Sequence, residues 1–250
     1  MSKLVRYYFK RDKWILLAMV GCALLSALLL WTVDSGGMLV LFGVVAFLFS
    51  TVIAPFWLAI RDYKRMYGAY GSFFAALPLT GKEVIGGRAL WFLFVQLLAF
   101  FATVIFFGLI FLGTGVEVNF QELLSEVMTP IGRECLLGAL LLMLTGLFFT
   151  TAMWVFVTSV GSEKPLRRFG IGGPILLYVG AQVALNVVFK VVGDAMGSQV
   201  AFVDGHFMGD KAIAGLFLRM TIVLGGLMLI ASVVMFLRSA VSHDKKLSIS

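Results

Sequence analysis

Charge and catalytic side chains are what this chain has least of. Of its 250 residues only 13% are charged, and it contains two histidines, two cysteines and five prolines. Cys22 and Cys135 lie far apart in or beside apolar runs, which gives neither a disulfide framework nor a metal-ligand spacing, so both are expected to act as small core residues. The two histidines are remote from each other, and His206 has no second His or Cys nearby to share a metal with. There is no HExxH, GxSxG or Cys/His cluster, and no G-x-x-x-x-G-K-[ST] phosphate loop, so the chain is expected neither to be an enzyme nor to hydrolyse ATP by itself.

What it has in abundance is apolar surface. Hydrophobic residues make up 61% of the chain, phenylalanine alone occurs 24 times, and the mean hydropathy is +1.02. That balance excludes a soluble globular domain and points to an integral membrane protein. The net charge of +7 would suggest nucleic acid in a soluble protein. Here loops on the cytoplasmic side of a membrane account for it, and nucleic acid is not an expected partner.

A hydrocarbon core of roughly 30 Å needs about 20 apolar residues in helical form. Six stretches are long enough: Trp14–Val33, Met38–Ile60, Ala89–Gly113, Leu136–Val160, Ile171–Val192 and Ile213–Leu237. The expected fold is therefore all-α, one polytopic membrane domain over residues 1–250. Within it, residues 1–13 form an interfacial helix, 14–60 spans one and two, 61–88 a cytoplasmic connection, 89–240 spans three to six, and 241–250 a tail. Pro55 and Pro174 are expected to kink the second and fifth spans.

The cations decide the orientation. Lys3, Arg6, Lys10, Arg11, Lys13, then Arg61, Lys64, Arg65, Lys82, Arg88, then Lys164, Arg167, Arg168, and finally Arg238, Lys245, Lys246 account for 16 of the 20. Those four regions are expected to be cytoplasmic, with both termini inside a multi-pass bacterial cell membrane. Asp34, Glu117, Glu122, Glu126, Glu134, Asp194, Asp204 and Asp210 fall on the opposite side. The start "MSKLVRYYFKRDK" has the basic flank of a signal peptide, but the apolar run continues to Val33 without an A-x-A site. Its interleaved aromatics and cations suit a segment lying on an anionic leaflet.

Two outer connections carry pattern. Asn119 followed by Glu122 reads as a helix start, and Phe120, Leu123, Leu124, Val127, Met128 and Ile131 then recur at helical spacing, which predicts a short amphipathic helix interrupted at Pro130. Residues 193–212 alternate apolar residues with Gly and Asp, the composition of a re-entrant element.

The most informative connection is inner. From Met66 to Leu77 the large residues Met66, Tyr67, Tyr70, Phe73, Phe74 and Leu77 share one helical face, and small residues fill the other. Such a helix rises only about 18 Å and cannot span. Pro78 ends it. In "LTGKEV" Thr80 then serves as N-cap, Glu83 closes a capping box, and Leu79 against Val84 forms a hydrophobic staple that starts the third span.

Six spans with both ends inside, a basic N-terminus, and "FFAALPLTGKEVIGGRAL" before the third span resemble the permease subunits of ABC-2 type exporters, whose matching stretch has a Leu-Pro-Leu/Ile-Ser/Thr core. The resemblance covers the chain in topology and specific residues over 71–88. The acidic pair common earlier in that loop is represented here by Asp62, among Arg61, Lys64 and Arg65. The resemblance implies a coupling helix seated in a separate ABC ATPase subunit through Tyr67, Tyr70, Phe73, Phe74, Leu77, Pro78, Leu79, Thr80 and Glu83. "GSEKPLRRFG" would be a second inner contact. It implies ATP and Mg on that partner and no cofactor in this chain, a second permease copy or paralogue, and outward movement of an amphipathic or lipid-like substrate such as a peptide or drug. A lipid-facing interfacial helix is the plainer reading of the same stripe, and an ion-coupled secondary carrier or a non-transporting membrane sensor is the alternative function.

Polar groups at membrane depth complete the sequence picture. Gln182, Asn186 and Lys190 recur every four residues on one face. With Gln96 on the third span, Gln182 and Asn186 are candidates for a translocation path. Equally, Gln and Thr side chains bond neighbouring helices as packing contacts, and Lys190 and Arg219 reach outward to headgroups.

Overall fold

A computed structural model of the chain describes residues 2–31, 38–67, 80–113, 121, 125, 127–163, 166, 168–197 and 210–242. Long helices dominate: α1 (Ser2–Trp31), α2 (Met38–Leu48), α3 (Ala54–Tyr67), α4 (Gly81–Gly113), α5 (Pro130–Val160), α6 (Gly172–Gly197) and α7 (Asp210–Val241), with no strand among the described residues. Six segments are long and apolar enough to cross a membrane, the second being α2 and α3 joined end to end. The expected number of spans is met. The helices are longer than their apolar runs, because Lys, Arg and Glu are good helix formers and a polar residue ends a hydropathy run without ending a helix.

That difference matters most at the start. Residues 2–13, expected as a separate interfacial helix, are the first turns of one uninterrupted helix that runs through the first span. Neither glycine nor proline stands between Arg11 and Ile15 to break it. Leu4, Tyr8, Asp12, Leu16, Met19, Ala23 and Ala27, spaced three or four apart, form its buried seam. The seam passes from the basic segment into the apolar one without a change of face.

The two prolines behave differently. Pro55 lacks the N–H that would bond back to Thr51, and the turn before it, Phe49–Ile53, widens into a π-turn in which Ala54 N–H donates to Phe49 O. Ser50 and Thr51 hydroxyls both donate to Phe47 O at 2.8 Å. A break in the second span is thus present where Pro55 predicts it. Pro174 falls in the first turn of α6, which begins at Gly172, so it removes no bond that the helix would otherwise make and causes no kink. Likewise Pro130 opens α5 rather than closing an outer helix, with Thr129 as N-cap accepting from Gly132 N–H at 3.0 Å. Residues 119, 120, 122–124 and 126 of that outer helix lie outside the described residues, as do 198–209 of the segment expected to be re-entrant.

Two helix pairs pack most extensively, α1 with α4 and α5 with α7. Each depends on a glycine at the crossing. A Cβ on Gly87 would sit 2.7 Å from Leu4 Cδ2, and one on Gly138 would sit 2.7 Å from Phe217 Cε1 and 3.1 Å from Thr221 Oγ1. In lipid, where apolar surface alone does not drive helices together, close backbone approach of this kind is a main source of association. An aromatic layer fills the centre: Trp154 stacks on Tyr178 at 4.9 Å, Tyr8 stacks on Trp91 at 5.4 Å, and Phe56 meets Trp154 edge-on at 5.8 Å.

Candidate functional site

Helix alternation brings the start of α1, the end of α3, the start of α4, the end of α5 and the end of α7 to one end of the bundle. The described cations there are Lys3, Arg6, Lys10, Arg11, Lys13, Arg61, Lys64, Arg65, Lys82, Arg88, Arg168 and Arg238. Both described ends of the chain lie at this basic end, since Ser242 Oγ donates to Ser159 O and Tyr8 bonds to α3.

Its centre is a buried ion pair. On α3 the residues Leu58, Ala59, Asp62, Tyr63 and Met66 form the inward face, which turns the Asp62 carboxylate into the bundle with 1% of the residue exposed. On α4 the same geometry places Arg88 on the face of Ile85, Phe92 and Val95, with no exposure at all. Arg88 Nε and Nη2 donate to Asp62 Oδ2 at 2.9 and 2.6 Å, and Tyr8 Oη donates to Asp62 Oδ1 at 2.6 Å. Arg88 Nη1 donates to Ser159 Oγ at 2.9 Å and to Tyr67 Oη at 3.0 Å, and Nη2 also donates to Thr158 Oγ1. A guanidinium has five N–H groups, and here each has an acceptor. Four helices, α1, α3, α4 and α5, therefore meet in one neutral, satisfied cluster.

Burying a charge is unfavourable unless it is paired and hydrogen-bonded, and this cluster meets both conditions. It contains no exposed nucleophile or base. Its chemistry is positional: Arg88 ties the start of α4 to the ends of α3 and α5, and Asp62 ties the end of α3 to the start of α1. Two further contacts extend it, a hydrogen bond from Tyr63 Oη to Gly170 O at 2.9 Å just before α6, and an ion pair between Arg238 on α7 and Glu163 at 2.6 Å just after α5.

The start of α4 follows the sequence closely. Thr80 N–H donates to Glu83 Oε2 at 2.9 Å, Glu83 N–H donates to Thr80 Oγ1 at 3.3 Å, and the helix begins at Gly81, the reciprocal pattern of a capping box. Thr80 and Glu83 are both exposed. Tyr70, Phe73, Phe74, Leu77, Pro78 and Leu79 lie outside the described residues, and the staple partner of Val84 lies with them. Met66 and Tyr67, expected to open the short inner helix, are the last described residues of α3. Tyr67 is half-buried, accepts from Arg88 through its hydroxyl, and places its ring 5.6 Å from the guanidinium, so it joins the cluster.

The candidate path residues are not gathered. Gln96 is half-buried on α4, whereas Gln182 and Asn186 are on α6, which packs on α5 and α7. Gln182 Nε2 lies 4.0 Å from Met153 Sδ, and Asn186, like Lys190, is exposed. Beside them, between α6 and α7, is an apolar cleft of about 410 Å³ lined by Phe149, Leu185, Phe189, Met228 and Met235 among others.

Arg88, Tyr8 and Asp12 had not been singled out by sequence pattern. The available signal was isolation: Asp12 and Asp62 are single acids inside cationic runs, and such a residue has arginine partners close at hand. No protein-family model, no curated protein and no solved structure matches this chain.

Proposed function

We propose that this chain is the membrane-spanning permease subunit of an ATP-driven exporter, working as a pair of permeases beneath which separate ATPase subunits bind at the basic, cytoplasmic end. The observation that carries this reading is the Asp62–Arg88 pair, which fastens together the two helices flanking the 68–79 connection. A partner pressing on that connection acts on a capped helix start, and Arg88 is two turns from the cap. The satisfied guanidinium makes the joint stiff, as a lever needs. Lipid-like or amphipathic cargo fits a bundle whose described clefts are apolar.

The test is co-expression with an ATPase encoded beside it. Co-purification and a change in ATPase rate are expected, and a Phe73→Asp, Phe74→Asp variant should lose both. Unimpaired assembly of that variant would remove the docking face. Uptake driven by an ion gradient in liposomes that contain no ATPase would replace the reading with a secondary carrier.

A further inference from the structure

A second charged group stands one turn further along the same buried seam of α1, at Asp12, and its arithmetic does not close. Asp12 is 1% exposed and is held by three arginines: Arg11 through Nε and Nη2 at 3.2 and 2.6 Å, Arg61 Nη1 at 3.0 Å, and Arg65 Nη2 at 3.6 Å. One carboxylate and three guanidinium groups leave two positive charges over. Arg88 has an acceptor for every N–H, but Arg11 Nη1 and Arg65 Nη1 are shielded from solvent and have no hydrogen-bond partner among the described residues. A buried charged donor left without an acceptor is costly, and an anion brought to it would recover that loss.

The surroundings say what kind of anion. Tyr7, Arg11 and Trp14 follow one another at i, i+4 and i+7, on one face of α1. Arg11 lies 5.1 Å from the Tyr7 ring centre and Lys13 Nζ lies 5.2 Å from that of Trp14. Trp14 is 71% exposed and Leu17, one turn further, 59%. Aromatic residues with cations on one side and exposed leucine on the other mark the depth where headgroups meet acyl chains. Arg61, 40% exposed, forms the rim through which the cluster opens.

We propose that Arg11, Arg61 and Arg65 form a binding site for the phosphate group of an anionic phospholipid in the leaflet at the basic end. Arginine suits this role because its planar fork meets phosphate oxygens two at a time. The lipid completes the positive cluster, and Asp12 sets its geometry by holding the three forks together. The site is independent of the ATP-driven reading.

The experiment uses the full chain in mixed micelles, with lipid occupancy read by native mass spectrometry. The wild-type protein should hold phosphatidylglycerol about tenfold more tightly than phosphatidylcholine, because both carry the phosphate but the choline ammonium of the second brings a cation against the two uncompensated arginine charges. Arg65→Gln and Arg11→Gln should reduce that preference to near unity, Arg65→Lys should keep part of it, and Lys82→Gln, a cation at the same end but outside the cluster, should leave it unchanged. If the two buried variants fail to fold, Arg61→Gln at the exposed rim carries the same expectation. Equal affinity of the wild-type protein for the two lipids, or an unaltered preference in every arginine variant, overturns the site. Displacement of phosphatidylglycerol by millimolar inorganic phosphate would assign the site to a soluble phosphate and overturn the lipid as occupant.

Discussion

The basic end of the bundle and the side formed by α6 are built on opposite terms. At the basic end, charges are buried and partnered, and four helices are locked by directional bonds to one ion pair, Asp62 and Arg88. Along α6 no residue of the spanning window is fully buried, and its boundary with α7 is an open apolar cleft. The difference follows from the solvent. In water an exposed apolar helix face is driven inward, but in lipid tails it has no such preference, so tight association needs either close backbone approach or polar contacts. The α1–α4 and α5–α7 pairs cross closely at glycines along the bundle, whereas α6 is held chiefly at its start, where Gly173 and Pro174 pack closely on Leu166 and Gly161, Tyr63 bonds to Gly170 O, and Tyr178 stacks on Trp154 one turn further. Rigidity and looseness in this molecule therefore track where backbones cross closely and polar side chains were placed, not where apolar ones are.

The sharpest way to break that contrast is at the ion pair. Arg88→Met leaves Asp62 buried with Tyr8 as its remaining bonded partner, and removing one member of a buried pair costs about 3–5 kcal/mol. The double variant Asp62→Leu, Arg88→Met removes the stranded charge and should be more stable than Arg88→Met alone. Thermal unfolding in detergent measures both, and a double variant at least as unstable as the sum of the singles would mean that the two residues are not a coupled pair.

Next in size is the helix crossing. Gly138→Leu forces side-chain atoms into space already held by Phe217 and Thr221. Phe217 is partly exposed and can swing away, but Thr221 is buried. Overpacking of this kind costs about 1–3 kcal/mol. The same substitution at Gly180 on α6, where nothing lies within 4 Å, should leave the unfolding temperature nearly unchanged. Equal losses at the two glycines would erase the distinction between the packed pair and the free helix.

How much of this was readable beforehand divides along the same line. The six spans and the Thr80–Glu83 capping box were legible because each is a local property, a run length in one case and a three-residue spacing in the other. The ion cluster was not, because Tyr8, Asp62, Arg88 and Ser159 are 54, 26 and 71 positions apart as bonded pairs, and only tertiary packing selects which arginine a lone acid meets. The first helix was divided at Lys13 because hydropathy changes there, although helix propensity does not. Pro174 reads as a kink from its identity alone, yet it lies three residues into the apolar run, inside the first turn where proline breaks no bond. The bond by which the Tyr67 hydroxyl completes the acceptors of a buried guanidinium is likewise something that no apolar pattern records.

A smaller effect belongs to the cap. Thr80→Ala removes the acceptor for Glu83 N–H and should cost about 1 kcal/mol, the usual loss at an N-cap. Because the box is exposed and stands at the membrane edge, most of that loss is expected as fraying of the first turn of α4, with the bundle otherwise intact. Hydrogen exchange at Lys82–Val84 should rise while that around Trp91 stays unchanged. Replacement by Ser should restore protection, since the hydroxyl is what the cap requires.

The smallest expected change lies in the cleft itself. Leu185→Ala in a closed core would remove contacts and leave a cavity at a cost of about 2–5 kcal/mol. Leu185 lines a cleft already open to the membrane, so lipid tails can enter the vacated volume and no new void forms. The expected shift in stability is therefore well under that range, and Ala184→Phe, which adds bulk to the same wall, should be tolerated as well. A large loss at Leu185 would mean that the cleft is closed in the membrane by protein, and the contrast between a locked basic end and a loosely held α6 would then describe an isolated chain rather than its working assembly.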